Sequence, residues 1–365
     1  MKIIAEIGTS HGGDLIKAKE LIDLSIESGA DFVKFQWVYA SEILHPKTGF
    51  VNLPTGKIPL YDRFKELEVK PDFFAECLDY THKKGAEFLC SPFGLRSLEE
   101  LISIKPDAIK IASPELNHIP LLKKLAEYRR TNDIPVIVSS GVSKLSDIEE
   151  ALSILGRKNL TLLHCITSYP APEEEYNLRL IPNLSAIFGV PCGVSDHSLD
   201  PILVPSITAA VGGTVIEKHI TISKETDGLD DPVALTGEQF SVMSHCVHQC
   251  DAAFRQYGEK AAAYILNQLK DEYGERIEKI LGTGVKELAE AEKANYGRTN
   301  RSLHFMRKMK KGEIISKNDI GVLRTEKELS VGLHPGFLDK VIGSKVNRDI
   351  QDGEGVQLDF LSFQL

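Results

Sequence analysis

Between residues 2 and about 250, short β-branched runs alternate with stretches of helical spacing eight times over. The strand candidates are 2–8, 32–37, 86–92, 108–113, 135–140, 160–166, 191–196 and 214–220. Segments with apolar spacings of three and four lie between them, such as Leu15–Ser28, Phe74–Lys84, Ser97–Ile104 and Leu145–Leu155. Eight βα units without a second sheet predict an α/β fold of the closed (β/α)8 type, a TIM barrel. A doubly wound open sheet is the alternative, but it calls for fewer strands and a Gly-rich phosphate turn after the first one. The first turn here, Gly8-Thr9-Ser10-His11-Gly12-Gly13-Asp14, lacks the dinucleotide pattern.

Three further regions break the alternation. Residues 38–71 are long for a βα loop and contain Pro46, Pro54 and Pro59, which predicts a lid or substrate wall on the barrel rim. Residues 251–296 are charged and helical and read as a linker after a barrel domain of residues 1–250. Residues 297–365 switch to short strands and tight turns, a small β-rich domain whose thin core needs support from a larger body.

With 52 acidic against 43 basic side chains, the net charge of −9 argues against nucleic acid as the main partner. No apolar run is long enough to span a bilayer, and Met1–Glu6 reads as a strand rather than a signal peptide. The six scattered cysteines form no paired framework, so a reducing cytoplasmic location is expected. The run His245–Cys250 matches no zinc spacing, since Cys246 and Cys250 are simply one helical turn apart.

In such barrels the chemistry lies at the carboxyl ends of the strands. Those ends carry, in order, Glu6; Lys34 and Gln36; Ser91; Lys110 and Ser113, with Glu115 just after; Ser139 and Ser140; Thr167-Ser168-Tyr169-Pro170; Ser195-Asp196-His197; and Glu217-Lys218-His219. Residues two apart on a strand share a face, so Ser195 with His197, and Glu217 with His219, point the same way. Two lysines and several hydroxyls in one mouth suit a phosphate or carboxylate, and two imidazoles beside acids suit a divalent metal. Taken singly, each has a plainer reading: a lysine as ion-pair partner of Glu6 or Glu217, a histidine as a satisfied core residue, a serine as an ordinary strand end. Their recurrence at equivalent positions favours a site.

In these motifs the chain resembles the sialic acid synthases, the N-acetylneuraminate synthase family with its legionaminic, pseudaminic and spore-coat polysaccharide branches. The matching segments are Ala5–Gly8 with His11–Asp14, Lys34-Phe35-Gln36, Ser91-Pro92-Phe93, Lys110–Ser113, Ser139-Ser140-Gly141, His164-Cys165, Tyr169–Pro172, Ser195-Asp196-His197, Glu217-Lys218-His219 and Gly228-Leu229-Asp230. Beyond the linker, Arg301-Ser302-Leu303, Lys310–Glu313, Gly332–Pro335 and Val341-Ile342-Gly343 resemble the antifreeze-like (SAF) domain of that family. The resemblance implies condensation of phosphoenolpyruvate with an N-acyl aminohexose, giving a nine-carbon 2-keto-3-deoxy acid and phosphate. It assigns a divalent ion, manganese first and magnesium or cobalt as alternatives, to His197 and His219. It assigns phosphoenolpyruvate to Lys34, Ser91, Lys110, Ser113, Ser139 and Ser195. Glu6, Gln36, Tyr169, Glu217 and Asp230 take positions that orient the sugar, a metal-bound water or a proton. It further implies a domain-swapped homodimer in which Arg324 of one chain caps the partner's site.

The chain departs from the family pattern at Ser10 (usually Asn), at Asp231 (usually His), at Thr167 (Asn in some members) and in the longer turn 324–332 that replaces Arg-Pro-Gly-x-Gly. Ser10, Thr167 and Asp231 are expected to touch the sugar, and the Ser-Tyr-Pro-Ala-Pro run leans toward the legionaminic, pseudaminic or spore-coat branches. Two rivals stand beside the synthase: a pyruvate aldolase using Lys110 as a Schiff-base nucleophile, and a sugar-binding homologue without turnover.

Overall fold

The computed structural model describes residues 1–53, 56–225 and 228–362; Pro54 of the insertion and the last three residues of the C-terminal domain lie outside them. Eight parallel strands form the barrel: β1 (Lys2–Gly8), β2 (Phe32–Trp37), β3 (Glu87–Pro92), β4 (Ala108–Ile111), β5 (Val136–Ser139), β6 (Leu160–Cys165), β7 (Cys192–Asp196) and β8 (Val215–Thr221). They pair in chain order, and β8 returns to β1 to close the ring. The eight expected strands are all present, and the open-sheet alternative is ruled out by that closure. The Gly12-Gly13 turn serves the first helix rather than a nucleotide. Both glycines have positive φ, and the turn delivers Asp14, whose carboxylate accepts from the Ile16 and Lys17 amides as the N-cap of Leu15–Glu27.

Alternation on the strands sorts the barrel interior into layers. Ile4, Leu89, Ala108, Ile137, Leu163 and Val215, with Phe32 against them, form a buried apolar plug. Two residues further along, on the same face, stand Glu6, Ser91, Lys110, Ser139, Cys165, Glu217 and Lys34. The plug therefore floors a polar layer at the carboxyl end. The opposite faces of the strands pack against the surrounding helices in the main hydrophobic core.

The last barrel helix runs Gly237–Tyr257, past residue 250, so the expected barrel–linker boundary falls inside a helix. Cys246 and Cys250 ride on it; all six cysteines are free thiols, and Cys250 faces the Ser206 carbonyl. The connector follows as the helices Ala261–Tyr273, Arg276–Leu281 and Glu290–Lys293. The C-terminal domain pairs β9 (Arg301–Phe305) antiparallel with β10 (Ile320–Arg324) over a core that includes Leu303, Phe305, Met309, Val341 and Val356.

That domain leans on its own barrel. Arg301, fully buried, donates to Glu115 Oε1 (2.9 Å) and to the carbonyls of Glu42 (2.5 Å) and Phe93 (2.6 Å). Asn117 exchanges two hydrogen bonds with the Arg301 backbone. The insertion after β2 carries a short helix (Ala40–Ile43), a hairpin (Phe50–Leu53 with Gly56–Pro59) and a second helix (Leu60–Glu66). It seats the domain through Thr48 on the Thr325 carbonyl and His45 on Asp352. Among the described residues, no helix is long and apolar enough to cross a membrane.

Buried histidines set an acid limit on the fold. Burial lowers His11 to about 4, His164 to about 3 and His304 to about 4. Their folded pKa values lie below the unfolded value of about 6.5, so the unfolded chain binds more protons. The stability they preserve above pH 6.5 is lost as pH falls toward 4, by about 2 kcal/mol for each histidine at pH 5. Urea denaturation is expected to give a clearly lower midpoint at pH 5 than at pH 7; equal midpoints would contradict this account.

Candidate active site

Strand register brings the polar layer together. Glu6 of β1 lies level with Lys34 of β2 on one side and His219 of β8 on the other. Glu217 of β8 lies level with Ser195 of β7. Two short hubs result. Glu6 pairs with the Lys34 ammonium and accepts from Gln36 Nε2 at 2.7 Å. Glu217 Oε1 accepts from Ser195 Oγ (2.9 Å) and lies 3.4 Å from both Lys34 Nζ and Lys110 Nζ. Two carboxylates and two ammoniums are thus interleaved out of water, an arrangement that is stable only when each charge keeps its partners.

The electrostatics follow from that packing. Burial pushes Glu217 up, but Lys110 and Lys34 outweigh it and hold the carboxyl at about 2. Burial pushes Lys34 down, yet Glu217 and Glu6 keep it above the usual lysine value. Lys110 ends below its usual value, since burial prevails there. The next residues along β7 and β8 face the other way: Asp196 and Lys218 form a second ion pair, fully buried, at 2.6 Å.

The histidines stand just beyond this layer. The His197 and His219 rings are 5.6 Å apart, and the Tyr169 ring stacks on His197 at 4.3 Å with half its surface exposed. His197 Nδ1 lies 2.7 Å from the Ile166 carbonyl, and its backbone amide donates to the Tyr176 hydroxyl. That contact makes Nδ1 an N–H and leaves Nε2 as the ring atom available to a ligand. Burial lowers His219 to about 3, so its imidazole is neutral at physiological pH. Asp230 Oδ2 is 3.9 Å from His219 Nδ1, and burial raises its carboxyl above the usual range. Among the described residues no three His, Cys, Asp or Glu side chains close around one point. Burial works against charge on His197, but Cys165 beside it and the Ile166 carbonyl raise its pKa to about 9. An ion held by the two imidazoles must therefore displace the Nε2 proton of His197, with its remaining ligands coming from solvent and substrate.

Among the described residues, three buried oxygens of the layer have no hydrogen-bond partner: Ser91 Oγ, Ser139 Oγ and Glu217 Oε2. Ser113 is engaged, accepting from the Gly141 amide at 3.0 Å. Glu6, Lys34, Gln36, Ser91, Lys110, Ser113, Ser139, Tyr169, Ser195, His197, Glu217, His219 and Asp230 therefore share one mouth. Arg324 reaches the same rim but is held by Glu115 (2.8 Å). The resemblance put such an arginine over a partner's barrel; here it meets Glu115 of its own chain.

Two of the residues expected at the sugar meet one another. Ser10 and Asp231 turn to each other, Ser10 Oγ donating to Asp231 Oδ1 at 2.5 Å, and both are buried. These two departures from the family pattern are thus hydrogen-bonded to each other inside the fold. Thr167 lies at the end of β6 with its amide on Glu292. Sequence reasoning gave no role to Glu292 or Arg301, and it noted Glu115 only as a neighbour of Ser113. Arg301 lay within a quoted motif, but nothing in the sequence announced its partner.

Comparison with known proteins agrees with this geometry. Residues 21–260 match the NeuB family and residues 300–362 match the SAF domain. The chain is 33% identical to the spore coat polysaccharide biosynthesis protein SpsE of Bacillus subtilis over 363 residues, covering 98% of this chain and 92% of that one. It is 31% identical over 356 residues to the N,N'-diacetyllegionaminic acid synthase of Campylobacter jejuni, covering 95% and 97%. The crystal structure of B. subtilis SpsE superposes with a TM-score of 0.80 over 100% of this chain and 96% of that chain. With matches of this extent across the barrel and the C-terminal domain, the protein belongs to the NeuB family and carries a SAF domain.

Proposed function

We propose that this enzyme condenses phosphoenolpyruvate with the open-chain aldehyde of an N-acyl aminosugar and releases phosphate. The observation that carries the reading is the buried Lys34–Glu217–Lys110 cluster ringed by Ser91, Ser139 and Ser195, two of whose hydroxyls lack a partner. A cradle of ammoniums and hydroxyls suits an anion bearing both carboxylate and phosphate. The synthase names of its relatives support the reaction class.

In this reading C3 of phosphoenolpyruvate bonds to the aldehyde carbon, the aldehyde oxygen takes up a proton, water adds at C2, and phosphate leaves with cleavage of the C–O bond. Lys34 and Lys110 hold the donor's anionic ends, and Ser195, fixed by Glu217, orients the phosphate side. Asp230, kept protonated more readily by burial, gives the proton to the forming hydroxyl. Tyr169 and Gln36 wall the sugar. A divalent ion held by His197 and His219, with manganese the first choice and magnesium or cobalt the alternatives, would supply Lewis-acid polarisation of the carbonyl. A homodimer with exchanged C-terminal domains would preserve the same Arg301–Glu115 and Arg324–Glu115 contacts between chains, since swapping repeats intrachain contacts across copies.

The lowered basicity of the buried Lys110 favours a second reading, a Schiff-base aldolase acting on pyruvate. The test is phosphate release from phosphoenolpyruvate across N-acylhexosamines and 2,4-diacetamido-trideoxyhexoses, with manganese and after chelation. Release with at least one acceptor, lost on chelation and restored by manganese, is expected. Borohydride trapping of pyruvate on Lys110 with no phosphate release would establish the aldolase instead.

A further inference from the structure

The loop after β5, Ser140-Gly141-Val142, ends in a conformation that its last residue resists. Val142 is fully buried with φ +43°, in the left-handed region that a β-branched side chain rarely enters. Such a residue persists only where its surroundings over-determine it. Its backbone N–H is held from the connector and its carbonyl from the start of the C-terminal domain. Glu292, fully buried, accepts from the Val142 amide at 2.7 Å through Oε1. Asn300 Nδ2 donates to the Val142 carbonyl at 3.1 Å. The same Glu292 oxygen also accepts from the Thr167 amide at 2.7 Å, so one carboxylate ties the ends of β5 and β6 together. The tie bears directly on Gly141: a side-chain carbon there would stand 2.9 Å from Ser113 Oγ and 3.2 Å from Glu292 Oε1.

We infer that Glu292 is a positioning residue for the phosphoenolpyruvate side of the site, acting by clamping Val142 in its strained conformation. The inference rests on the donor reading proposed above. If Val142 relaxes to negative φ, the Gly141 amide turns away from Ser113 Oγ, and the end of β5 that carries Ser139 shifts with it. Asn300 immediately precedes Arg301, the residue that seats the C-terminal domain, so the clamp is complete only when that domain is docked. The connector thereby links docking to the shape of the donor cradle.

The experiment is calorimetric titration of the full-length protein with phosphoenolpyruvate, without acceptor, alongside a denaturation curve for each variant. Glu292→Ala is expected to weaken phosphoenolpyruvate binding at least tenfold. Glu292→Gln keeps an acceptor oxygen and is expected to stay within threefold of the native protein. The double variant Glu292→Ala with Val142→Gly, in which glycine accepts positive φ without a clamp, is expected to recover most of the loss. Folded Glu292→Ala protein that binds phosphoenolpyruvate as the native chain does overturns the inference, and so does a loss that Val142→Gly does not repair. If Glu292→Ala fails to fold, Asn300→Ala releases the other side of Val142, and unchanged binding there overturns it equally. A native protein that binds no phosphoenolpyruvate refutes the donor reading itself, a different result from a native-like variant.

Discussion

Replacing His219 by alanine is expected to lower phosphate release on the order of 10²–10³-fold while leaving the protein folded. His219 is the cleaner of the two histidines to remove. Its ring is neutral, and its one ion-pair contact among the described residues is Asp230 at 3.9 Å. His197 by contrast is tied to the Ile166 carbonyl and stacked under Tyr169, so its loss would disturb the rim as well. The measurement is steady-state phosphate release with saturating manganese, with circular dichroism to verify the fold. A His219→Ala protein with native turnover would remove the paired imidazoles from the mechanism.

Glu217→Ala is expected to act on stability as strongly as on activity. The side chain is the one ion-pair partner of Lys110 among the described residues and one of two for Lys34. Removing it leaves a buried ammonium uncompensated, at a cost of about 3–5 kcal/mol. Lys110 would answer by losing its proton, since burial already lowers its pKa. Denaturant midpoints at pH 7 decide the matter: a change under about 1 kcal/mol would show that the cluster is hydrated and not mutually dependent. The Glu217→Ala, Lys110→Met double variant is expected to regain part of the stability and none of the activity.

The barrel was legible because its physics is periodic. Eight alternations of strand and helix spacing located the eight barrel strands, and the carboxyl ends of those strands named Glu6, Lys34, Ser91, Lys110, Ser139, Ser195 and Glu217. Contacts made by aperiodic segments escaped that reasoning. Glu292 comes from a connector with no strand pattern, and its partner amides, Val142 and Thr167, lie 150 and 125 residues earlier. Ser10 and Asp231, 221 residues apart, looked like two separate losses at the sugar, whereas they are one hydrogen-bonded pair. Arg324 was legible as a rim residue, but its partner Glu115 could not be read from spacing. Period fixes which face a residue takes, and only the folded chain shows which distant group meets it.

The Arg301–Glu115 pair spans 186 residues of chain, and this has a consequence for the order in which the protein comes into being. At about 5–20 residues per second, roughly ten to forty seconds of synthesis separate the carboxylate from its guanidinium. The barrel can close only once β8, ending at Thr221, has been made, and from then until Arg301 appears Glu115 lacks its guanidinium partner. Barrel closure must therefore precede a late docking event, because the small C-terminal core has little to fold against until its seat exists. A nascent chain passes through a stage with a complete ring of strands and no clamp on Val142, so competence arrives with the final segment rather than with the barrel.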